Sequence, residues 1–158
     1  MFSGIVLAMR IRTFVMAAVL ALGACGGKSK GPEASTGSAA TRSLYERLGQ
    51  KDGITVVVKD FLGNVGADDR INAAFANTDL PALETKLIDQ ICQATGGPCT
   101  YTGKSMLEVH TGMHVTDAQF DALVEDLVKS LDKNGVKDPE KSDLLGALGG
   151  MKGDIVGH

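Results

Sequence analysis

The sequence has no tryptophan, and only 4% of its 158 residues are aromatic. A chain of this length can bury a sizeable core, but it has few large rings with which to fill one. It also has no basic stretch, and its formal net charge is −3, which argues against nucleic acid as a partner. Internal repeats and strand-like alternation are absent, so one domain with attachments is expected.

The N-terminal segment is typical of a secretory signal. Arg10 and Arg12 precede the apolar run FVMAAVLAL, which is too short to span a bilayer and fits the apolar region of a signal peptide. The run leads into LGAC, which ends at Cys25 and resembles the lipobox of bacterial lipoproteins. In that family the signal is cut before the cysteine, and the cysteine is then acylated. An ordinary signal peptide with a chance cysteine is the alternative.

These features predict an exported lipoprotein anchored to a membrane. Residues 1–24 would be the signal peptide, and residues 25–42 a lipidated Cys25 with a flexible tether rich in Gly, Ser, Ala and Thr. Residues 43–158 would be the folded domain. Two or more acyl chains are needed for stable anchoring. The resemblance to lipoproteins implies that Gly26, which is not aspartate, favours the outer membrane facing the periplasm if the cell is Gram-negative.

The domain has helical periodicity throughout, so the predicted fold class is all-α. Several helices have recognisable starts: capping boxes at Ser43/Glu46 and Thr116/Gln119, single caps at Asp68 and Asp79, and Asp138-Pro139 at the start of the last helix. The final helix is predicted to carry an apolar face of Leu144, Leu145, Leu148, Met151 and Ile155.

His110 is one of only three histidines, and it follows Met106, Leu107 and Val109 in a short helical stretch with an apolar face. A buried imidazole needs a hydrogen bond or a ligand. Three explanations remain open from the residues alone. It is a structural histidine, a zinc ligand, or the axial ligand of a haem iron, for which one histidine suffices.

Zinc would require Cys92, Cys99 and His114 beside His110, but the C-x6-C-x10-H-x3-H spacing lies outside the usual pattern. In an exported chain the two cysteines are predicted to form a disulfide, with GGP between them turning the chain. Two free buried cysteines are the alternative. Haem would supply the large aromatic surface that the composition lacks.

Four segments resemble a group 1 truncated haemoglobin in their order and spacing: SLYERLG, VVVKDFLGNVGADDRINAAF, ATGGPCTYTGKSMLEVHTGM and the final helix. The specific part is the combination of GGP, YTG and M-x-x-V-H. The resemblance covers nearly all of residues 43–156. It implies a shortened globin fold, with helices packed two-over-two around haem b.

The resemblance also implies roles for individual residues. His110 would be the proximal histidine that binds the iron, and Phe75 would pack against the haem face. Tyr101 falls on an aromatic position where a structural role and a haem contact are equally expected. Apolar wall positions, each also explicable as plain core, would be Met106, Val115, Phe120, Val124 and Leu127.

On the ligand side of the haem, the sequence departs from the family pattern. Leu62 stands where a tyrosine commonly donates a hydrogen bond to the ligand, and Leu83 and Leu87 stand where polar residues are common. The resemblance therefore implies an apolar ligand pocket. Lys86 is either a sixth iron ligand, as the neutral amine, or a surface lysine whose ammonium meets a haem propionate.

The leading hypothesis is a membrane-tethered haem protein that reversibly binds O₂, NO or CO. The alternative is a detoxifying enzyme, a nitric-oxide dioxygenase or peroxidase-like protein, which would need a reductase as an electron source. A helical lipoprotein that has lost haem is a third hypothesis. We expect an oxygen-binding protein rather than an enzyme, with His114 and His158 exposed to solvent.

Overall fold

The computed structural model describes residues 42–158, so the predicted signal peptide, Cys25 and nearly all of the tether lie outside the described residues. The described part is helical, which confirms the all-α prediction. No helix in it is long and apolar enough to cross a membrane. The helices are α1 Leu44–Arg47, α2 Gln50–Ala67, α3 Leu80–Ala94, α4 Met106–His110, α5 Asp117–Lys133 and α6 Asp138–Gly149, with 3₁₀ turns at Asn72–Phe75 and Lys152–Asp154.

Helix α2 is the centre of the core, because it packs against both α3 and α5. Its buried side chains recur at helical spacing and form one stripe. The stripe consists of Ile54, Val57, Val58, Phe61 and Val65. Burial of each such side chain stabilises the fold by about 1.5–3 kcal/mol. Leu131 of α5 and Leu144 of α6 complete this core and are almost fully buried.

The predicted capping boxes and the Asp79 cap are confirmed by hydrogen bonds. Asp79 Oδ1 accepts the backbone N–H of Ala82 at 3.0 Å, which fixes the start of α3. Both hydrogen bonds of a capping box are present at the start of α1, in Ser43/Glu46, and at the start of α5, in Thr116/Gln119. These caps set where the short first helix and the long fifth helix begin.

The prediction that Asp68 caps a helix was wrong. Asp68 follows α2, and its carboxylate accepts hydrogen bonds from the backbone N–H and the guanidinium of Arg70. These bonds lower the pKa of Asp68 to about 2. Arg70 also pairs with Glu125 of α5 at 2.9 Å. The carboxylate is therefore engaged in an ion pair, and the following 3₁₀ turn that ends at Phe75 begins without a side-chain cap.

The last helix ends earlier than its apolar pattern predicts. Helix α6 stops at Gly149, so Met151 and Ile155 lie beyond it. Two successive glycines, Gly149 and Gly150, disfavour helix at this point by about 1 kcal/mol each. The chain then turns so that Val156 forms an isolated parallel bridge with Val115.

Cys92 and Cys99 are joined by a disulfide that ties the end of α3 to the following loop. We expect the Cys92→Ala/Cys99→Ala variant to lose about 2–3 kcal/mol of unfolding free energy, because its unfolded chain is no longer cross-linked. Urea denaturation measures this loss. A reductant should lower the urea concentration at the unfolding midpoint of the wild type and leave that of the double variant unchanged. Equal wild-type midpoints with and without reductant would contradict the prediction.

Candidate functional site

The candidate site lies between α3 and α4, which meet through long side chains. Gln90 Nε2 on α3 lies 3.5 Å from Met106 Sδ on α4. Nearer the surface, Lys86 Nζ on α3 donates to Thr102 Oγ1 in the loop before α4, at 3.0 Å. Long side chains therefore bridge the space between the two helices.

A capping box that the sequence reasoning missed opens α4. Ser105 Oγ accepts the backbone N–H of Glu108 at 3.2 Å, and Glu108 Oε2 accepts the backbone N–H of Ser105 at 3.0 Å. The hydrogen bonds from Ser105 lower the pKa of Glu108. The S-x-x-E spacing was the signal that would have found it. This box holds a helix of only five residues at the position of His110.

His110 ends α4 with one ring nitrogen held by the backbone. Its Nδ1 lies 2.7 Å from the carbonyl oxygen of Met106. A carbonyl only accepts, so Nδ1 carries the hydrogen and the Nε2 lone pair remains for a ligand. The second ring nitrogen of a metal-binding histidine is commonly held in this way. The half-buried imidazole therefore has the tautomer and fixed orientation that a haem iron requires.

The chain leaves the helical conformation directly after His110. Gly112 has a φ of +86° and His114 a φ of +52°, so both lie in the left-handed region. His114 consequently does not continue the face of α4, and both His114 and His158 are exposed. The zinc explanation fails among residues 42–158, because Cys92 and Cys99 are bonded to each other and no cluster of potential metal ligands occurs there.

The C-terminal segment supports the loop that follows His110. Gly157 donates its backbone N–H to the carbonyl of Val115 at 2.9 Å. Lys152 pairs with Asp117 at 2.7 Å, and its ammonium lies 5.1 Å from the centre of the Phe120 ring. Two of the predicted wall residues, Val115 and Phe120, are thereby held in place by contacts with the end of the chain.

A cavity of about 260 Å³ lies where α2 meets the turn before α3. It brings together Leu62, predicted on the ligand side, and Phe75, predicted to pack against the haem face. The other lining residues are mostly apolar: Val65, Gly66, Asn72, Ala76 and Leu80. The structure thus combines these two predicted site residues in one apolar space.

The remaining predicted residues occupy several environments. Leu83 and Leu87 are half-buried on α3, and Lys86 is exposed. On α5, Phe120 and Leu127 are buried and Val124 is half-buried. Tyr101 has a structural role in the loop before α4, because its hydroxyl donates to the carbonyl of Lys104 at 2.9 Å and its backbone N–H donates to Gln93.

Exposed apolar side chains are concentrated around this site. In the described part, four of the five exposed large hydrophobic residues are Leu80, Leu107, Val109 and Met113, each 42–46% exposed. They lie at the start of α3, on α4 and in the loop after it. Apolar surface of this kind is available to contact an apolar ligand. Together with the oriented His110, it fits a large flat apolar group such as haem.

Gln90 was not identified from the sequence, although its spacing contained the signal. Positions 83, 87 and 90 are four and three residues apart, so Gln90 continues the row of Leu83 and Leu87 on α3. The two leucines give the row an apolar character, and Gln90 adds a polar group at its end. The structure places the Gln90 carboxamide in the space between α3 and α4.

Comparisons with known proteins identify the family of this chain. Residues 43–156 match the family model described as bacterial-like globin. The chain is 32% identical over 116 residues to a group 1 truncated haemoglobin of Tetrahymena pyriformis, covering 73% of this chain and 96% of that protein. It is 35% identical over 115 residues to one of Tetrahymena thermophila, covering 73% and 95%.

Solved structures show the same similarity. The T. pyriformis truncated haemoglobin in its Fe(III) form aligns with a TM-score of 0.72 at 32% identity, covering 74% of this chain and all of that one. The 2/2 haemoglobin of Synechococcus sp. PCC 7002, which has a covalently attached haem, aligns with a TM-score of 0.70 at 31% identity and the same coverage. The shortened globin fold expected from the sequence is confirmed.

Proposed function

The chain belongs to the group 1 truncated haemoglobins, and we propose that it binds haem b and reversibly holds O₂, NO or CO. The observation that carries this proposal is the geometry of His110. Its Nδ1 is occupied by the Met106 carbonyl, which leaves Nε2 for the iron. When bound, haem would supply an iron able to coordinate a diatomic molecule.

The residues of α2 and α3 would form the ligand side of the site. Leu62 lines the cavity with Phe75, and Leu83 and Leu87 share one face of α3. These side chains exclude water and favour small apolar gases. Because none of these three leucines can donate a hydrogen bond, the ligand leaves more easily than from a pocket with a tyrosine donor.

Lys86 is proposed to act at the edge of the haem rather than on its iron. Its ammonium donates to the Thr102 hydroxyl on the exposed side of the site, and the side chain is solvent-accessible. An ammonium in water is well placed to meet a carboxylate such as a haem propionate. Iron binding would require the side chain to leave the Thr102 hydroxyl and enter the site.

The direct test is reconstitution of purified residues 43–158 with haem. We expect one haem per chain, a strong Soret band, and a ferrous form whose spectrum shifts reversibly on addition of CO. A protein that folds, by circular dichroism, but stays colourless in the presence of excess haem would refute the proposal.

We also propose that the domain is tethered to a membrane through acylated Cys25. The proposal is supported by the LGAC sequence that follows an apolar run. The full-length chain expressed in a Gram-negative host should partition into the detergent phase of Triton X-114, and Cys25→Ser should move it to the aqueous phase. The control variant Cys99→Ser should partition into the detergent phase as the wild type does. Equal partitioning of wild type and Cys25→Ser would contradict the lipid anchor.

A further inference from the structure

Helix α4, which carries His110, is supported by the C-terminal segment, residues 151–158. Within the described part of the chain, α4 packs most extensively against the 3₁₀ turn Lys152–Asp154. A helix of only five residues is not stable by itself, so its position depends on what it packs against. The orientation of the imidazole therefore depends on how firmly this segment is held.

Backbone hydrogen bonds connect the loop after His110 to the same segment. Met113 donates its N–H to the carbonyl of His110 at 3.0 Å, and His114 donates its N–H to a main-chain oxygen of His158. The φ of His114 is +52°, a conformation that is disfavoured for a residue with a Cβ and persists only where surrounding contacts hold it. These contacts come from residues 151–158, which also form the parallel bridge to the loop.

One side chain, Lys152, fastens the segment to the start of α5. Its Nζ lies 2.7 Å from Asp117 Oδ1, 3.4 Å from Asp121 Oδ1 and 5.1 Å from the centre of the Phe120 ring. The hydrogen bond to Asp117 raises the pKa of Lys152, so the ammonium keeps its charge at neutral pH. Lys152 thus combines two ion pairs with a cation–π contact on one turn of α5.

The segment also reaches α3 and α4 through its first residue. Met151 Sδ lies 3.4 Å from Gln90 Nε2, and the same amide nitrogen lies 3.5 Å from Met106 Sδ. Met106 is the residue whose carbonyl oxygen holds His110 Nδ1. Residues 151–158 therefore contact both sides of the candidate iron ligand along the chain, the helix before it and the loop after it.

We propose that Lys152 is a positioning residue for the iron ligand: by fastening residues 151–158 to α5, it fixes the loop after His110 and thereby the orientation of the imidazole. The proposal rests on haem binding by this chain through His110. It makes Asp117 and the Phe120 ring the fixed points on α5 to which this support is attached.

The test compares Lys152→Met with the wild type and with Lys152→Arg in the haem-reconstituted protein. Methionine keeps most of the apolar stem and removes the charge. We expect the iron–histidine stretching band of the unliganded ferrous form, measured by resonance Raman, to broaden because the imidazole samples more orientations. The rate of haem dissociation to an apoprotein acceptor should rise roughly 3- to 10-fold, as expected for a half-exposed ion pair with a cation–π contact. Lys152→Arg, which keeps the charge, should match the wild type in both measurements.

Lys141→Met is the matched control, because it removes the same kind of side chain at the other end of α5. Lys141 also pairs with two carboxylates, those of Asp132 at 2.6 Å and Asp138 at 2.8 Å. This variant should keep the wild-type band width and haem dissociation rate. Asp117→Asn removes the Lys152 ion pair from the α5 side and should broaden the band as Lys152→Met does.

The outcomes separate this proposal from haem binding itself. If Lys152→Met and Asp117→Asn keep the wild-type band width and haem dissociation rate, the positioning role is refuted and haem binding stands. Equal changes in Lys141→Met, or in Lys152→Arg, would also refute it. If the folded wild type binds no haem, the proposed function fails first. Circular dichroism and the haem content of each variant show that any change arises in a folded, loaded protein.

Discussion

Replacement of His110 by glycine should abolish stable haem binding while leaving the domain folded. His110 is half-buried at the end of a five-residue helix, outside the main core around α2. Its removal takes away the nitrogen whose orientation is set by the Met106 carbonyl. We expect haem affinity to fall by two orders of magnitude or more, which corresponds to about 2.7 kcal/mol. Haem titration followed at the Soret band measures this change.

His114→Gly is the matched control for this variant. His114 is exposed, and its φ of +52° is a conformation that glycine adopts freely. The control should therefore bind haem as the wild type does, with equal or higher stability. Free imidazole added to His110→Gly should restore part of the Soret band, because the vacated space admits the missing ring. Full haem affinity in His110→Gly without imidazole would exclude His110 as the iron ligand.

The second large effect is expected at Leu62, where a tyrosine should slow ligand release. Leu62 lines the 260 Å³ cavity together with Phe75. A tyrosine there would bring a hydroxyl donor into an apolar space, where a hydrogen bond to a ligand of partial negative charge stabilises it by about 1.5–3 kcal/mol. The O₂ dissociation rate of Leu62→Tyr should fall roughly 10- to 100-fold. Stopped-flow displacement of O₂ by CO measures the rate.

Leu62→Phe separates the hydroxyl from the added volume. Phenylalanine has the same ring and no donor, so its O₂ dissociation rate should stay within a few-fold of the wild type. If the tyrosine and phenylalanine variants release O₂ equally fast, Leu62 does not face the ligand.

Local patterns were sufficient for most helices and for the identity of the key histidine. The Asp79 cap and the Thr116/Gln119 box depend on residues three apart, so the sequence contains everything that forms them. His110 could be selected because it is a rare residue type within a specific motif. The prediction for Asp68 was wrong because its carboxylate could bind either the first N–H groups of a helix or the guanidinium of Arg70. In the fold it pairs with the guanidinium.

By itself, the sequence determined that the domain is all-helical, where most helices begin, and which histidine is the candidate ligand, because these properties follow from residue type and short spacing. Only the tertiary structure decided the bridge between Val115 and Val156 and the position of Gln90 beside Met106 and Met151. Each of these depends on groups that are distant along the chain and are brought together by packing of the helices. Spacing within one helix places Gln90 on a face, but the neighbouring helices determine what its carboxamide touches.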